Sequence, residues 1–190
     1  MNSTFSAFEV PTTTDITYIP GRPRAYRGDC KAGQFKLGET KFLGNELKME
    51  ILGYRTFEDT LFDYPRQNWG EIFFVDESNV VSHILIKTIS LENYLDLMLE
   101  LKTEGKILAA GITTAKMVKK TSELGVYYAI EFSWSPIQPE RFQELSQFIS
   151  TLSAPVYAAR LKDAEEGIPA LDVPVEPSDP AKKEPSKVKK

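Results

Sequence analysis

Phe57, Phe62, Tyr64 and Trp69 crowd into one stretch with Arg55 and Arg66, between two apolar runs where a connecting loop is ordinarily polar. Rings beside guanidinium groups suit nucleic acid. Bases stack on the rings at roughly 1–3 kcal/mol each, whatever the sequence, while phosphates meet the cations. Trp69 has the largest ring and is the expected centre of such a platform. The competing reading is a loop folded over to add a satellite cluster to the core. Glu58, Asp59 and Asp63, which repel phosphate, favour that reading for part of the segment. A second cluster, Lys116, Lys119 and Lys120, lies in the segment leading to Gly125 and reads as a basic turn or as an ordinary solvated one. Tyr54, Tyr127 and Lys87 stand at the ends of neighbouring apolar runs and extend the set.

The inventory for catalysis is thin. His83 is the single histidine and Cys30 the single cysteine, so neither a multi-cysteine metal site nor a disulfide framework is expected. No glycine-rich phosphate loop and no nucleophile motif occurs. Glu58, Asp59, Asp63, Asp76 and Glu77 support only a third reading, a small magnesium-dependent nuclease. Asp76-Glu-Ser-Asn79 is more simply the polar turn of a hairpin. The expectation is a protein that is not an enzyme and has no cofactor or metal.

These residues must be held by strands. Leu47–Tyr54, Glu71–Val75 and Val80–Lys87 read as three strands. A helix follows at about Leu91 to Thr103, with Ser90 as its N-cap and Leu91, Tyr94, Leu95, Met98 and Leu101 as its apolar stripe. Two more strands follow, Ile107–Val118 and Val126–Trp134. In the last, Val126, Tyr128, Ile130, Phe132 and Trp134 share a face. In the first strand Leu47, Met49 and Ile51 point inward and Tyr54 outward, while both faces of the third are largely apolar. Pro139 and Glu140 open a final amphipathic helix with Phe142, Leu145, Phe148, Ile149 and Leu152 on one stripe, able to pack on the sheet or to mediate self-association.

The flanks differ from this body. Residues 1–41 read as a mobile leader and a basic arm, in which Arg22, Arg24, Arg27, Lys31, Lys36 and Lys41 outnumber Asp29 and Glu39. Residues 161–190, rich in Pro, Lys and Glu, read as a disordered tail. Residues 42–160 are the expected folded domain. Between Leu43 and Lys162 there are 12 basic and 16 acidic side chains, so any affinity for a polyanion must come from local clusters and stacking. No run is long and apolar enough to span a membrane and no secretory signal is visible, so a cytoplasmic protein is expected.

Strand, strand, strand, helix, strand, strand is the order of an OB-type barrel, giving a mainly β fold of five strands with a helix between the third and fourth and a helix at the C-terminal end. From Gly44 to Trp134, in this order, in its lysine-bearing penultimate turn and in its Gly125-x-Tyr127-Tyr128-x-x-x-Phe132 strand, the chain resembles the OB-fold single-stranded-DNA-binding proteins of phage and plasmid type. The resemblance implies a non-enzymatic, sequence-tolerant binder of single-stranded DNA, or of RNA, in replication, recombination or a mobile element. Phosphates would meet Arg55, Lys87, Lys116, Lys119, Lys120 and the arm residues Arg22, Arg24 and Arg27. Bases would stack on Trp69, Tyr54, Tyr127, Phe57, Phe62 and Tyr64. The alternative is a protein-interaction or self-association module on the same barrel, with the C-terminal helix as a homo-oligomer contact.

Overall fold

The computed structural model describes residues 15–19, 21–62, 64–123 and 125–152. Most of the leader and the whole of the 161–190 tail lie outside them. The described chain is mainly β, a single curled sheet with two helices. Its strands are β1 (Arg24–Asp29), β2 (Gln34–Leu37), β3 (Lys41–Gly44), β4 (Glu46–Asp59), β5 (Gln67–Val75) and β6 (Val81–Lys87), then β7 (Gly111–Ser122) and β8 (Gly125–Pro136). Helix α1 (Thr88–Thr103) lies between β6 and β7, and α2 (Pro139–Thr151) follows β8.

The spatial order is β3-β2-β1-β6-β5-β4-β7-β8. All pairs are antiparallel except β1 with β6. The expected five-stranded, closed or nearly closed barrel is therefore corrected to an eight-stranded half-barrel. The five runs read from the sequence pair as β6-β5-β4-β7-β8. Of the three additional strands, β1 and β2 come from the segment expected to be a basic arm, and β3 starts at its last residue and enters the expected folded domain. The prolines and glycines at 20–28 hid them, since β1 begins just past Pro23 and turns follow closely. Phe35 and Tyr26 of that segment are buried in the main core.

Two cores lie on the two faces of the sheet. The inner one gathers Phe35, Met49, Ile72, Phe74, Ile84 and Ile130, with Leu91 and Tyr94 of α1 plugging it. Gly70 lets α1 in: a Cβ there would stand 2.7 Å from Leu91 Cδ1. The buried stripe of α1 runs through Leu91, Tyr94, Leu97 and Leu101, and Leu95 is exposed. The helix also begins earlier than expected. Its flanking residue is Lys87, and Ser90 lies inside the first turn. The outer core is smaller, with Phe73 and Val81 covered by Tyr18, Leu52, Phe148 and Leu152. The apolar stripe of α2 is thus seated on the chain's own sheet, where Leu145 is buried and Arg141 forks onto Glu50 at 2.6–3.1 Å.

One residue re-aims half of β4. Ile51 pairs with Phe74 and Gly53 with Phe73, so Leu52 is an extra residue, a bulge. Beyond it the facing reverses. Tyr54, expected outward, lies opposite buried Ile72 and meets Tyr94 edge-on with ring centroids 5.7 Å apart. Arg55 and Phe57 turn to the outer face instead.

β1 pairs with β6 only from Arg24 to Tyr26, and then runs toward the free edge of β8. That edge is closed without a strand. Tyr128 N donates to Cys30 O (2.9 Å), Ile130 N to Ser90 Oγ (3.0 Å), and Asn93 Nδ2 to Ile130 O (2.7 Å). Ser90→Ala strips a buried N–H of its acceptor, which costs about 1–3 kcal/mol. The expected outcome is a lower midpoint of denaturant unfolding with an unchanged slope. A midpoint equal to wild type would show the edge to be satisfied in another way.

Candidate nucleic-acid interface

Cross-strand register sets three rows of side chains on the outer face. Lys87, Trp69 and Phe57 form the first, Leu85, Glu71 and Arg55 the second, and His83, Phe73 and Gly53 the third. A groove of about 770 Å³ runs over the first two rows and up to His83. It is bounded on one side by Phe57, Asp59, Leu61, Phe62 and Tyr64 and on the other by Arg27, Cys30 and Lys31, reaches Tyr127, and continues through the gap between β1 and β8 to Tyr26, Ile86, Ser90, Tyr128 and Ile130 of the inner side.

Its floor is ionic. Glu71, fully buried, takes Arg55 Nε at 2.8 Å and an Arg55 terminal nitrogen at 2.6 Å on Oε2, and its Oε1 lies 2.8 Å from His83 Nδ1. Burying a carboxylate without such partners would be prohibitive, so the bulge that turns Arg55 outward is what permits Glu71 to sit there. The His83 ring lies nearly parallel to Phe73, with centroids 6.1 Å apart.

The aromatic segment folds back over Trp69. Phe62 and Tyr64 meet the indole edge-on at 6.0 and 6.1 Å, and Trp69 Nε1 donates to Asp59 O at 3.1 Å. Trp69 is only 3% exposed. The expected central stacking residue is thus a satellite-core residue with no free face. Phe62 and Tyr64 lie over it and remain 62% and 46% exposed. Cations are already set against these rings: Lys87 Nζ stands 2.7 Å from the Tyr64 centroid, the Arg27 guanidinium 5.7 Å from Phe62, and that of Arg55 4.8 Å from Phe57.

Several expected site residues lie elsewhere. Tyr54 points to the inner core. Arg24 is held by Asp76 at 3.0 Å, and Arg22 does not line the groove. Asp76 is itself a structural hub, taking Tyr26 and Ser82 hydroxyls at 2.9 Å each; burial and this carboxylate push the Tyr26 phenol far above its ordinary range. The three lysines lie within β7, not in a turn, since the hairpin register continues to Ser122 opposite Gly125. Alternation therefore places Lys119 on the Met117 side and Lys116 and Lys120 on the other, with Lys120 bound to Glu131 at 2.6 Å. They cannot act as one patch. The groove collects Arg27, Arg55, Lys87, Phe57, Phe62, Tyr64 and Tyr127 of the expected set, with Trp69 beneath.

Sequence reading missed the Glu71 carboxylate and its pairing with His83, which it had only as the single histidine. A signal existed: Glu71 opens an apolar run, Ile72-Phe-Phe-Val75, that is buried on both faces. Cys30 also lines the groove, where partial burial and the Asp29 carboxylate push its thiol up against a smaller opposing effect of Lys87. Asp29 is held below the usual carboxylate range by Lys36 and by the N–H groups of Ala32 and Lys31, and so fixes the turn beside the groove. A second cavity of about 560 Å³ lies near Lys48, Asp76 and Arg141, but Arg141 there is saturated by Glu50, Glu144 and Asn79 and serves to seat α2.

Among the described residues no group of His, Cys, Asp and Glu is placed to hold a metal ion, and no helix is long and apolar enough to cross a membrane. No protein family, curated protein or solved structure matches the chain.

Because Trp69 is buried with its indole N–H bonded, Trp69→Ala is expected to lower stability by about 3–5 kcal/mol, as for a large core side chain. Thermal and denaturant unfolding check this. A stable variant would return Trp69 to the surface.

Proposed function

We propose that the protein is a non-enzymatic, sequence-tolerant binder of single-stranded DNA, built on an OB-like arrangement and using the outer-face groove. The observation that carries the reading is where the groove lies. In an OB-type barrel the ligand crosses the face of the second and third strands, between the loop joining strands one and two and the loop joining strands four and five. If β4 to β8 are those strands, the groove spans the β5 and β6 face from the 57–64 segment to Tyr127. Exposed rings supply stacking that ignores base identity, and Arg27, Lys31 and Lys87 supply charge beside them. Roles in replication, recombination or a mobile element, and RNA as a ligand, belong to the same reading.

A second reading has its own observation. Leu95 and Leu99, one turn apart on α1, are exposed on the side facing away from the core, with Ile107 also exposed nearby. Such a stripe suits a protein partner. Groove substitutions that leave oligonucleotide binding untouched would favour it.

Fluorescence anisotropy with a labelled single strand tests the stacking. Phe62→Ala and Tyr64→Ala are each expected to weaken binding by about 1–3 kcal/mol, with a smaller loss of melting temperature than Trp69→Ala because both rings lie at the surface over it. Unaltered affinity in both variants would remove the rings from the interface. Charge is tested separately. Arg27→Ala and Lys87→Ala should each reduce the slope of log affinity against log salt by roughly 0.7, the value for one lost contact to a single strand. Lys119→Ala, on the opposite face, should leave the slope as it is.

A further inference from the structure

We infer that the exposed face of α1, where Leu95 and Leu99 lie beside Glu92, Asp96 and Glu100, is the docking surface for the chain's own lysine-rich segment, residues 181–190. This surface lies outside the groove, and its occupant does not depend on what the groove binds.

Helical spacing builds the face. Glu92, Asp96 and Glu100 follow one another at four residues and form one ridge, and Leu95 and Leu99 form the ridge beside it, while Leu91, Tyr94, Leu97 and Leu101 turn to the core. Leu95 is 41% and Leu99 65% exposed, and the three carboxylates are exposed with them. None of the three has an ion-pair partner among the described residues, whereas Glu50, Glu71, Glu104 and Glu131 each hold a cation. Lys102, in the last turn, is the one cation of α1. Like charges four residues apart oppose the helix that carries them. A cationic cover removes that repulsion and takes the leucines out of water.

Charge selects the occupant. A second copy of the same face would set one acidic ridge against another, and a nucleic acid or an anionic lipid surface would be repelled. Residues 181–190 carry Lys182, Lys183, Lys187, Lys189 and Lys190 against Glu184 alone. A lysine stem lies along a leucine while its ammonium reaches a carboxylate, and Val188, between Lys187 and Lys189, adds an apolar side chain. Length permits the contact. The described chain ends at Leu152, and the roughly 30 positions from there to Lys182 span up to about 100 Å, against a folded body about 40 Å across. Tethering sets an effective concentration of the order of millimolar, enough to populate a contact that is weak between separate molecules. A cationic segment of another protein would have to displace the tethered one.

The test is zero-length cross-linking of the whole 190-residue chain with a water-soluble carbodiimide, which joins a lysine to a carboxylate only where the two touch, read by peptide mass spectrometry. Glu46, Glu123 and Glu140, also exposed and without an ion-pair partner among the described residues, are internal standards. Links from residues 181–190 to Glu92, Asp96 and Glu100 are expected to exceed those to the standards by about three- to tenfold, as for a few exposed ion pairs acting together. The excess should vanish at about 0.5 M salt, where the Debye length is only about 4 Å. Leu95→Gln combined with Leu99→Gln keeps every carboxylate and should lower the excess by about twofold or more, because the lysine stems lose their apolar seat. Melting curves give the folded fraction of that variant, and if it does not fold the wild-type links decide. Links spread evenly over all six carboxylates overturn the inference, and so does an excess that the leucine variant keeps, which would mean attraction without docking. Absence of links to α1 overturns it and leaves the stripe to an outside partner. A mixture of isotopically light and heavy chains separates the last case: links between the two labels would place the segment on a second copy and overturn it as well.

Discussion

Leu52 is the residue on which the rest of the outer face depends. A strand alternates its side chains strictly, so one extra residue exchanges the two faces for everything after it. Before the bulge, Met49 and Ile51 enter the inner core. After it, Tyr54 continues that core toward α1 while Arg55 and Phe57 emerge outside. Were β4 regular, Arg55 would point into the apolar interior and Glu71 would face the outer side without its guanidinium. The bulge thus joins two requirements that look separate, an apolar lining for α1 and a counter-charge for a buried carboxylate. Its own side chain joins the outer core beneath α2.

The second constraint is the edge of β8. A curled sheet that does not close leaves one row of backbone groups facing the interior gap, and these need partners. Here α1 and the turn after β1 supply them, through Ser90, Asn93 and the Cys30 carbonyl. The same departure of β1 from β6 after Tyr26 opens the side of the sheet on which Arg27, Cys30 and Lys31 border the groove. Closing the edge and shaping the groove are two effects of one change in strand direction.

Strong periodicity was legible and backbone irregularity was not. The two-faced burial of β6, the central helix and the proline-led α2 all follow from apolar spacing, and the structure has them; of the row read along the last strand, Ile130 is buried and Tyr128 and Phe132 pack against the core, while Val126 is exposed. Tyr54 was misplaced because a bulge leaves no mark in a period-two pattern. The first three strands were missed because short strands between turns resemble loops in composition. Trp69 was over-read for a related reason. Its ring was correctly placed among Phe57, Phe62 and Tyr64, but sequence cannot say which ring of a folded-back cluster lies underneath, and the largest apolar one gains most from burial. The lysines at 116, 119 and 120 looked like one patch only while they were assigned to a turn.

Net charge misleads for the same reason that a linear count misleads. Carboxylates exceed cations in the body, yet on and around the outer face they are matched locally: Glu71 with Arg55, Asp29 with Lys36, Glu131 with Lys120. Lys87, and in part Arg27, meet aromatic rings instead, and among the described residues Arg27 has one ion pair, to Glu39, long at 3.5 Å and exposed. A ring neutralises nothing. A cation held over an exposed ring keeps its charge for a phosphate while the ring keeps a face for a base, and an ion pair of comparable geometry would have removed that charge from use. The outer face therefore separates its two kinds of electrostatics by depth, with compensated charge at the floor where desolvation would otherwise forbid it and uncompensated charge at the rim where solvent makes it tolerable.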